Sequence, residues 1–178
     1  MNGAGSVAER PLAAPLPARI ARSWQALAEV EDPEIPALSI VDLGLIRFIK
    51  ITRGDVLEVG LSPTYVGCPA TEVIRHSVRS ALSQASVGDF VVSNVLSPAW
   101  SSDWITCDGR RKLADYGIVP PELAASNMRE VLRGIRPVAC PRCAAVDTEC
   151  VSQFGSTPCK ALHRCRACLE PFEYFKCI

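Results

Sequence analysis

Seven of the chain's nine cysteines fall between Cys140 and Cys177, and four of them form two Cys-x-x-Cys pairs, Cys140-Pro-Arg-Cys143 and Cys165-Arg-Ala-Cys168, with 21 residues between the pairs. Each pair can wrap two sulfurs around one metal from a tight turn. Two such turns supply the four thiolates that tetrahedral zinc takes in a closed structural site. The spacing exceeds the usual range by one residue, which a loop absorbs. Two disulfides or four buried free thiols are the alternatives, and a reducing compartment disfavours the first. Iron held rubredoxin-fashion by the same four sulfurs remains open beside zinc. The segment 138–178 needs such a staple, because so short a stretch rarely buries enough apolar surface to fold unaided.

The whole chain has 178 residues, which suits one ordinary domain plus a small appendage. Lys plus Arg and Asp plus Glu both number 19, so no net field draws a polyanion or an anionic membrane surface. Arg129, Arg133 and Arg136 form a local basic group, read as a solvated helix face. In the cysteine-rich segment, Arg142, Lys160, Arg164, Arg166 and Lys176 face Asp147, Glu149, Glu170 and Glu173. Four thiolates around one divalent ion turn that slight positive balance negative, which argues against a nucleic-acid ribbon. No apolar run is long enough to span a bilayer, and the N-terminal residues lack the layout of a secretion signal. The expectation is a cytoplasmic protein with no nucleic-acid or membrane partner.

Residues 1–18 are rich in Ala and Pro and read as a disordered tail. Ile20, Trp24, Leu27 and Ala28 recur at helical spacing, and the run stops before Asp32-Pro33. Segments 45–52 and 56–61 read as a hairpin turning at Arg53-Gly54-Asp55. Ala70, Val73, Ile74, Ser77, Val78, Ala81, Leu82 and Ala85 form one apolar helical stripe. Phe90–Leu96 reads as a third strand and Arg110–Tyr116 as a short helix ended by Gly117. The predicted organisation is an α+β domain over 19–119, a small sheet with helices packed on one face. A linker with a weak helix follows at 120–137, then a four-cysteine zinc-ribbon-like domain at 138–178.

Cys68 is a second kind of cysteine. Thr64-Tyr-Val-Gly-Cys-Pro-Ala70 runs from a strand into the strongest helical stripe, with Pro69 suited to a first helical turn. That predicts Cys68 at the helix cap, where the dipole would lower its pKa and make the sulfur a better nucleophile and ligand. A buried capping thiol is the competing reading. Asp32-Pro-Glu-Ile-Pro36 and Asp42-Leu-Gly44 form loops able to bring carboxylates beside it, although such acids commonly cap turns. Trp100, Asp103 and Trp104 form a third group, either a partner surface or the edge of the core. Cys159 and Cys177 could be spare thiols, alternative ligands, or holders of a transient second metal, and His163 stands alone between the ligand pairs. No Glu-x-x-His arrangement offers a di-iron site. No second cysteine stands in a Cys-x-x-Cys arrangement with Cys68 to support thiol redox catalysis.

The run Asp-Pro-Glu-Ile-Pro-x-Leu-Ser-Ile-Val-Asp-Leu-Gly from Asp32 to Gly44, with Pro-Thr-Tyr-x-Gly-Cys-Pro-Ala from Pro63 to Ala70, resembles the metal-sulfur cluster biosynthetic domain family, which includes SufT-like proteins. The run from Phe154 to Cys177 narrows the resemblance to the PaaD family, accessory subunits of the phenylacetyl-CoA epoxidase system in aerobic phenylacetate degradation. The resemblance covers residues 20–178. It implies an iron-sulfur cluster assembly or iron delivery factor without catalysis of its own, serving a di-iron oxygenase subunit and an iron-sulfur reductase. By that resemblance Cys68, with Asp32 and Glu34, handles iron or a transient cluster, and Cys159 and Cys177 fall within the motif as weaker candidates. Cys140, Cys143, Cys165 and Cys168 are the structural zinc ligands. A non-catalytic scaffold binding the oxygenase or reductase is the alternative, and a homodimer is compatible with either. Cys107 and Cys150 carry no assigned role.

Overall fold

The computed structural model describes residues 17–65, 67–121 and 138–176. Most of the predicted tail and linker, including Arg129, Arg133 and Arg136, lies outside the described residues, as does Cys177. The apolar periodicities become the expected elements. Helix α1 (Ala18–Ala28) buries Ser23 and Leu27, one helical turn apart, and lays Trp24 against the core. Strands β1 (Ile46–Ile51) and β2 (Leu57–Leu61) pair antiparallel as the predicted hairpin. Helix α2 (Thr71–Gln84) buries Ile74, Val78 and Leu82, a stripe of successive turns. It carries the chain to β3 (Phe90–Asn94), which lies parallel to β2, a pairing that needs a crossover of this length. The third strand therefore ends two residues before the expected Leu96. Helices α1 and α2 pack on each other, on β1 and on β3 respectively, giving the predicted helix-covered sheet.

Two glycines hold close approaches. Gly44 has φ +67, and a Cβ there would stand 2.4 Å from the Trp104 carbonyl oxygen. Gly60 in β2 lies under the Phe48 ring, which a Cβ would meet at 2.5 Å. Helix α3 (Cys107–Asp115) begins earlier than the expected Arg110, because the Thr106 hydroxyl accepts the Gly109 amide at 2.9 Å and caps it. Gly117, at φ +88, ends that turn as predicted.

The C-terminal unit is a meander of β5 (Thr148–Ser152), β6 (Lys160–Cys165) and β7 (Pro171–Phe175), all antiparallel. A two-residue strand, β4 (Ile118–Val119), joins its edge parallel to β7. The last residues of the predicted first domain thus hydrogen-bond into the ribbon's sheet. The two parts also share apolar contacts. Phe175 and Cys159 belong to the same buried cluster as Leu27, Leu57, Val78 and Leu82. The indole of Trp100, only 4 % exposed, lies 6.1 Å from the Phe175 ring and donates to the Leu43 carbonyl at 3.0 Å. Trp100 is therefore core, while Trp104 is half-buried beneath the Arg47 guanidinium, 3.2 Å from its ring centre. Among the described residues no helix is long and apolar enough to cross a membrane.

Candidate functional site

The four predicted ribbon ligands converge. The sulfurs of Cys140, Cys143, Cys165 and Cys168 all lie within 4.8 Å of one another, with Cys140–Cys168 at 3.7 Å and Cys143–Cys165 at 3.6 Å. Four sulfurs at about 2.3 Å from a central zinc stand about 3.8 Å apart, so the spacing fits a tetrahedral thiolate site. The turn before Ala144, itself at φ +60, folds the first pair, and the end of β6 presents the second. The Cys168 backbone amide favours the Cys165 thiolate and lowers that thiol to about 7. The Glu170 backbone also favours a thiolate at Cys168, but burial and hydrogen bonding with Cys143, Cys165 and Cys140 outweigh it and push Cys168 up to about 12. The donor set holds no carboxylate or spare position, which suits a closed structural ion.

Cys68 does not stand at the helix cap. Ala70 is the N-cap residue of α2, and Cys68 sits two residues upstream in a tight turn whose carbonyl accepts the Thr71 amide at 3.1 Å. The glycine before it, at φ +91, belongs to the turn that precedes the helix. Cys68 lies in a cleft lined also by Asp32, Glu34, Thr64 and Cys159 over a floor of Leu61, Ile74 and Phe175. Four residues singled out from the sequence, Asp32, Glu34, Cys68 and Cys159, thus meet in one place.

Local bonding explains how the loops hold them. Asp32 is 7 % exposed, and its Oδ1 accepts the Glu34 and Ile35 amides, both at 2.9 Å. This turn fixes Asp-Pro-Glu-Ile with Glu34 facing the cleft. Asp42, by contrast, is directed elsewhere: its Oδ2 accepts the Ser39 amide at 3.0 Å and pairs with Lys112 at 2.7 Å. On the ribbon side, Cys159 immediately precedes β6 and is 5 % exposed. Its sulfur is 3.0 Å from the Thr157 hydroxyl and 4.0 Å from Oε2 of Glu34.

Burial raises the pKa of Asp32 against the two amides that lower it, and burial followed by the charge of Asp32 raises Glu34. Burial likewise pushes the Cys159 thiol up. Tyr65 is pushed up to about 12, first by burial and then by the charge of Cys68, to which its hydroxyl also hydrogen-bonds; Glu34 and Cys159 add to the effect. Lys160, 3 % exposed, offsets part of the negative potential while paired with Glu173 at 3.1 Å.

Sequence reasoning counts Lys160 only as a ribbon charge and meets Tyr65 only as part of a motif. No local signal marks Lys160, because the carboxylates that feel it come from a loop more than a hundred residues away. His163 packs between Phe172 and Tyr174, each ring 5.7 Å away, and burial lowers its pKa. Cys107 and Cys150 are exposed and outside the cleft.

Comparison with known proteins gives the same two parts. Residues 21–95 match the family described as iron-sulfur cluster assembly protein, and residues 124–176 match the PaaD zinc beta ribbon domain. Over 168 residues the chain is 44% identical to a protein of Escherichia coli (strain K12) named as one subunit of a "Putative 1,2-phenylacetyl-CoA epoxidase", covering 94% of this chain and 98% of that one. A protein of Porphyromonas gingivalis (strain ATCC BAA-308 / W83), named an Fe-S protein maturation auxiliary factor, is 31% identical over 81 residues, covering 45% of this chain and 76% of its own. Among solved structures, a DUF59 domain from Bacillus anthracis superposes with a TM-score of 0.50 at 26% identity, covering 54% of this chain and 92% of that domain.

Proposed function

Because the chain belongs to the PaaD family, whose Escherichia coli relative is named as part of phenylacetyl-CoA epoxidase, we propose that it is an assembly factor for that enzyme system. It handles iron, or an iron-sulfur cluster in transit, and loads the system's iron-sulfur reductase in the cytoplasm. It performs no oxygenation itself. The observation that carries this reading is the convergence of Cys68, Asp32 and Glu34 in one cleft of an iron-sulfur-assembly-type domain. Sulfur and carboxylate donors together suit a borderline divalent ion such as Fe2+. The cleft also differs in kind from the ribbon. Among the described residues, the ribbon cysteines form a group of four ligand atoms all within 4.8 Å of one another, whereas the cleft donors stand farther apart as a set. A closed tetrathiolate retains its ion, whereas looser donors reached from the surface permit release.

The ribbon metal, zinc by the family's description, supplies a redox-inert crosslink. Cys140, Cys143, Cys165 and Cys168 hold it, and the strand that ends at Cys165 begins beside Cys159. The test is to isolate the reductase from cells with and without this chain, and from cells carrying Cys68→Ser, and to measure its iron and acid-labile sulfide. Under-loaded reductase in both altered backgrounds supports assembly. A fully loaded, active reductase without the chain overturns it, and a stable stoichiometric complex with full loading would favour the scaffold reading.

A further inference from the structure

We propose that Cys159, carried by the ribbon, is the second sulfur ligand of the cleft, so that a borderline divalent metal such as Fe2+ binds between Cys68 and Cys159 with Glu34 as an oxygen donor. This rests on the reading of the cleft as an iron-handling site and adds to it a ligand from the other half of the chain.

Geometry carries the assignment. Cys68 and Cys159 line the same cleft, one from the turn before α2 and the other from the residue before β6. Cys159 is buried in the main core cluster, yet its sulfur has the Thr157 hydroxyl at 3.0 Å and the Glu34 carboxylate at 4.0 Å. A cysteine serving only as a small apolar filler would be enclosed by carbon. Two thiolates and a carboxylate match the preference of Fe2+, Co2+ and Zn2+ and suit Mg2+ or Ca2+ poorly.

The binding step is an exchange without electron transfer. One divalent ion replaces the two thiol protons, forms two metal–sulfur bonds and sends both protons to solvent. Transfer to an acceptor with stronger thiolates reverses it, with the cysteines regaining protons. The ribbon then has a role in the site itself. Cys159 is held by the backbone bond from Lys176 to its carbonyl at 3.0 Å, and β6 runs from its neighbour Lys160 to the zinc ligand Cys165.

The full chain, with zinc in its ribbon, is titrated with Co2+ in the absence of oxygen. Zinc outcompetes cobalt at the tetrathiolate, so added cobalt reports the cleft. The same chain with cobalt in place of the ribbon zinc calibrates the thiolate-to-cobalt absorption of four sulfurs. Wild type is expected to take one further Co2+ with about half that intensity, the mark of two sulfurs among its donors. Cys159→Ser and Cys159→Ala, retaining zinc, should halve it again and weaken binding at least about tenfold. Cleft cobalt in wild type with one-sulfur intensity, or zinc-loaded Cys159 variants that bind as wild type does, overturns the inference; if Cys68→Ser still abolishes binding, the iron-handling reading stands. Wild type that takes no cobalt beyond the ribbon, or Cys68→Ser that binds normally, removes that reading and this inference with it.

Discussion

The sulfur of Cys159 lies 4.0 Å from Oε2 of Glu34, across 125 residues of sequence. That approach brings the ribbon against the Asp-Pro-Glu-Ile loop. Its consequences extend to metal binding, to stability and to pH.

Glu34→Gln replaces the anionic carboxylate donor with a neutral, weaker amide oxygen while keeping the side chain's shape. Iron affinity of the zinc-loaded chain should fall about tenfold, equivalent to about 1.4 kcal/mol. Zinc should remain at one per chain. Anaerobic equilibrium dialysis against Fe2+ with elemental analysis measures both, and unchanged iron affinity would contradict a liganding role for Glu34.

Removing the ribbon metal should disturb more than the ribbon. Phe175 and Cys159 pack in the main core, and Trp100 rests on Phe175. In a chain whose other two tryptophans are replaced by Phe, chelation should shift Trp100 emission to the red as water reaches the indole, and zinc should restore it. Emission unchanged by complete zinc removal would show that the contact survives without the metal.

Trp100→Ala deletes a buried ring and its hydrogen bond to Leu43. Large aromatic truncations in cores cost about 3–5 kcal/mol, so denaturant unfolding should show a loss of that order. A loss below about 1 kcal/mol would mean that the site collapses around the cavity at little cost.

Much of this arrangement is legible in the sequence because it is local. The stripe over α2 and the alternation in β2 follow directly from side-chain period, and the two Cys-x-x-Cys turns carry their own ligand geometry. The expected place of Cys68 at the cap fails for a physical reason: Pro69 suits a first helical turn, but Gly67 at positive φ and the Cys68–Thr71 turn delay the helix until Thr71. The start of α3 escapes the apolar pattern because its cap is a Thr106 side chain. Cys159 is legible only as a spare thiol or an alternative ligand, a reading the family resemblance strengthens, and nothing local marks Lys160 as part of the site. Their neighbours Asp32 and Glu34 are brought to them by tertiary packing, which leaves no periodic signature.

Asp42 gives a pH signature. Burial opposes its ionisation, but Lys112 and the Ser39 amide and hydroxyl prevail and hold its pKa below the ordinary carboxylate value. Its stabilising contribution is therefore complete above the unfolded-state pKa and is lost as pH falls through the lower folded value. Asp42→Asn should melt below wild type near neutral pH, with the gap closing on acidification. A gap of constant size from about pH 7 to the acid limb would assign the loss to hydrogen bonding alone.

Iron-edge X-ray absorption of the anaerobic, zinc-loaded chain with one Fe2+ tests the central claim most directly. The account predicts a mixed shell of two sulfurs with oxygen donors, losing one sulfur in Cys159→Ser. A shell of four sulfurs would place the iron in the ribbon, a shell of oxygens alone would leave the cysteines of the cleft without a ligand role, and either result would contradict the account.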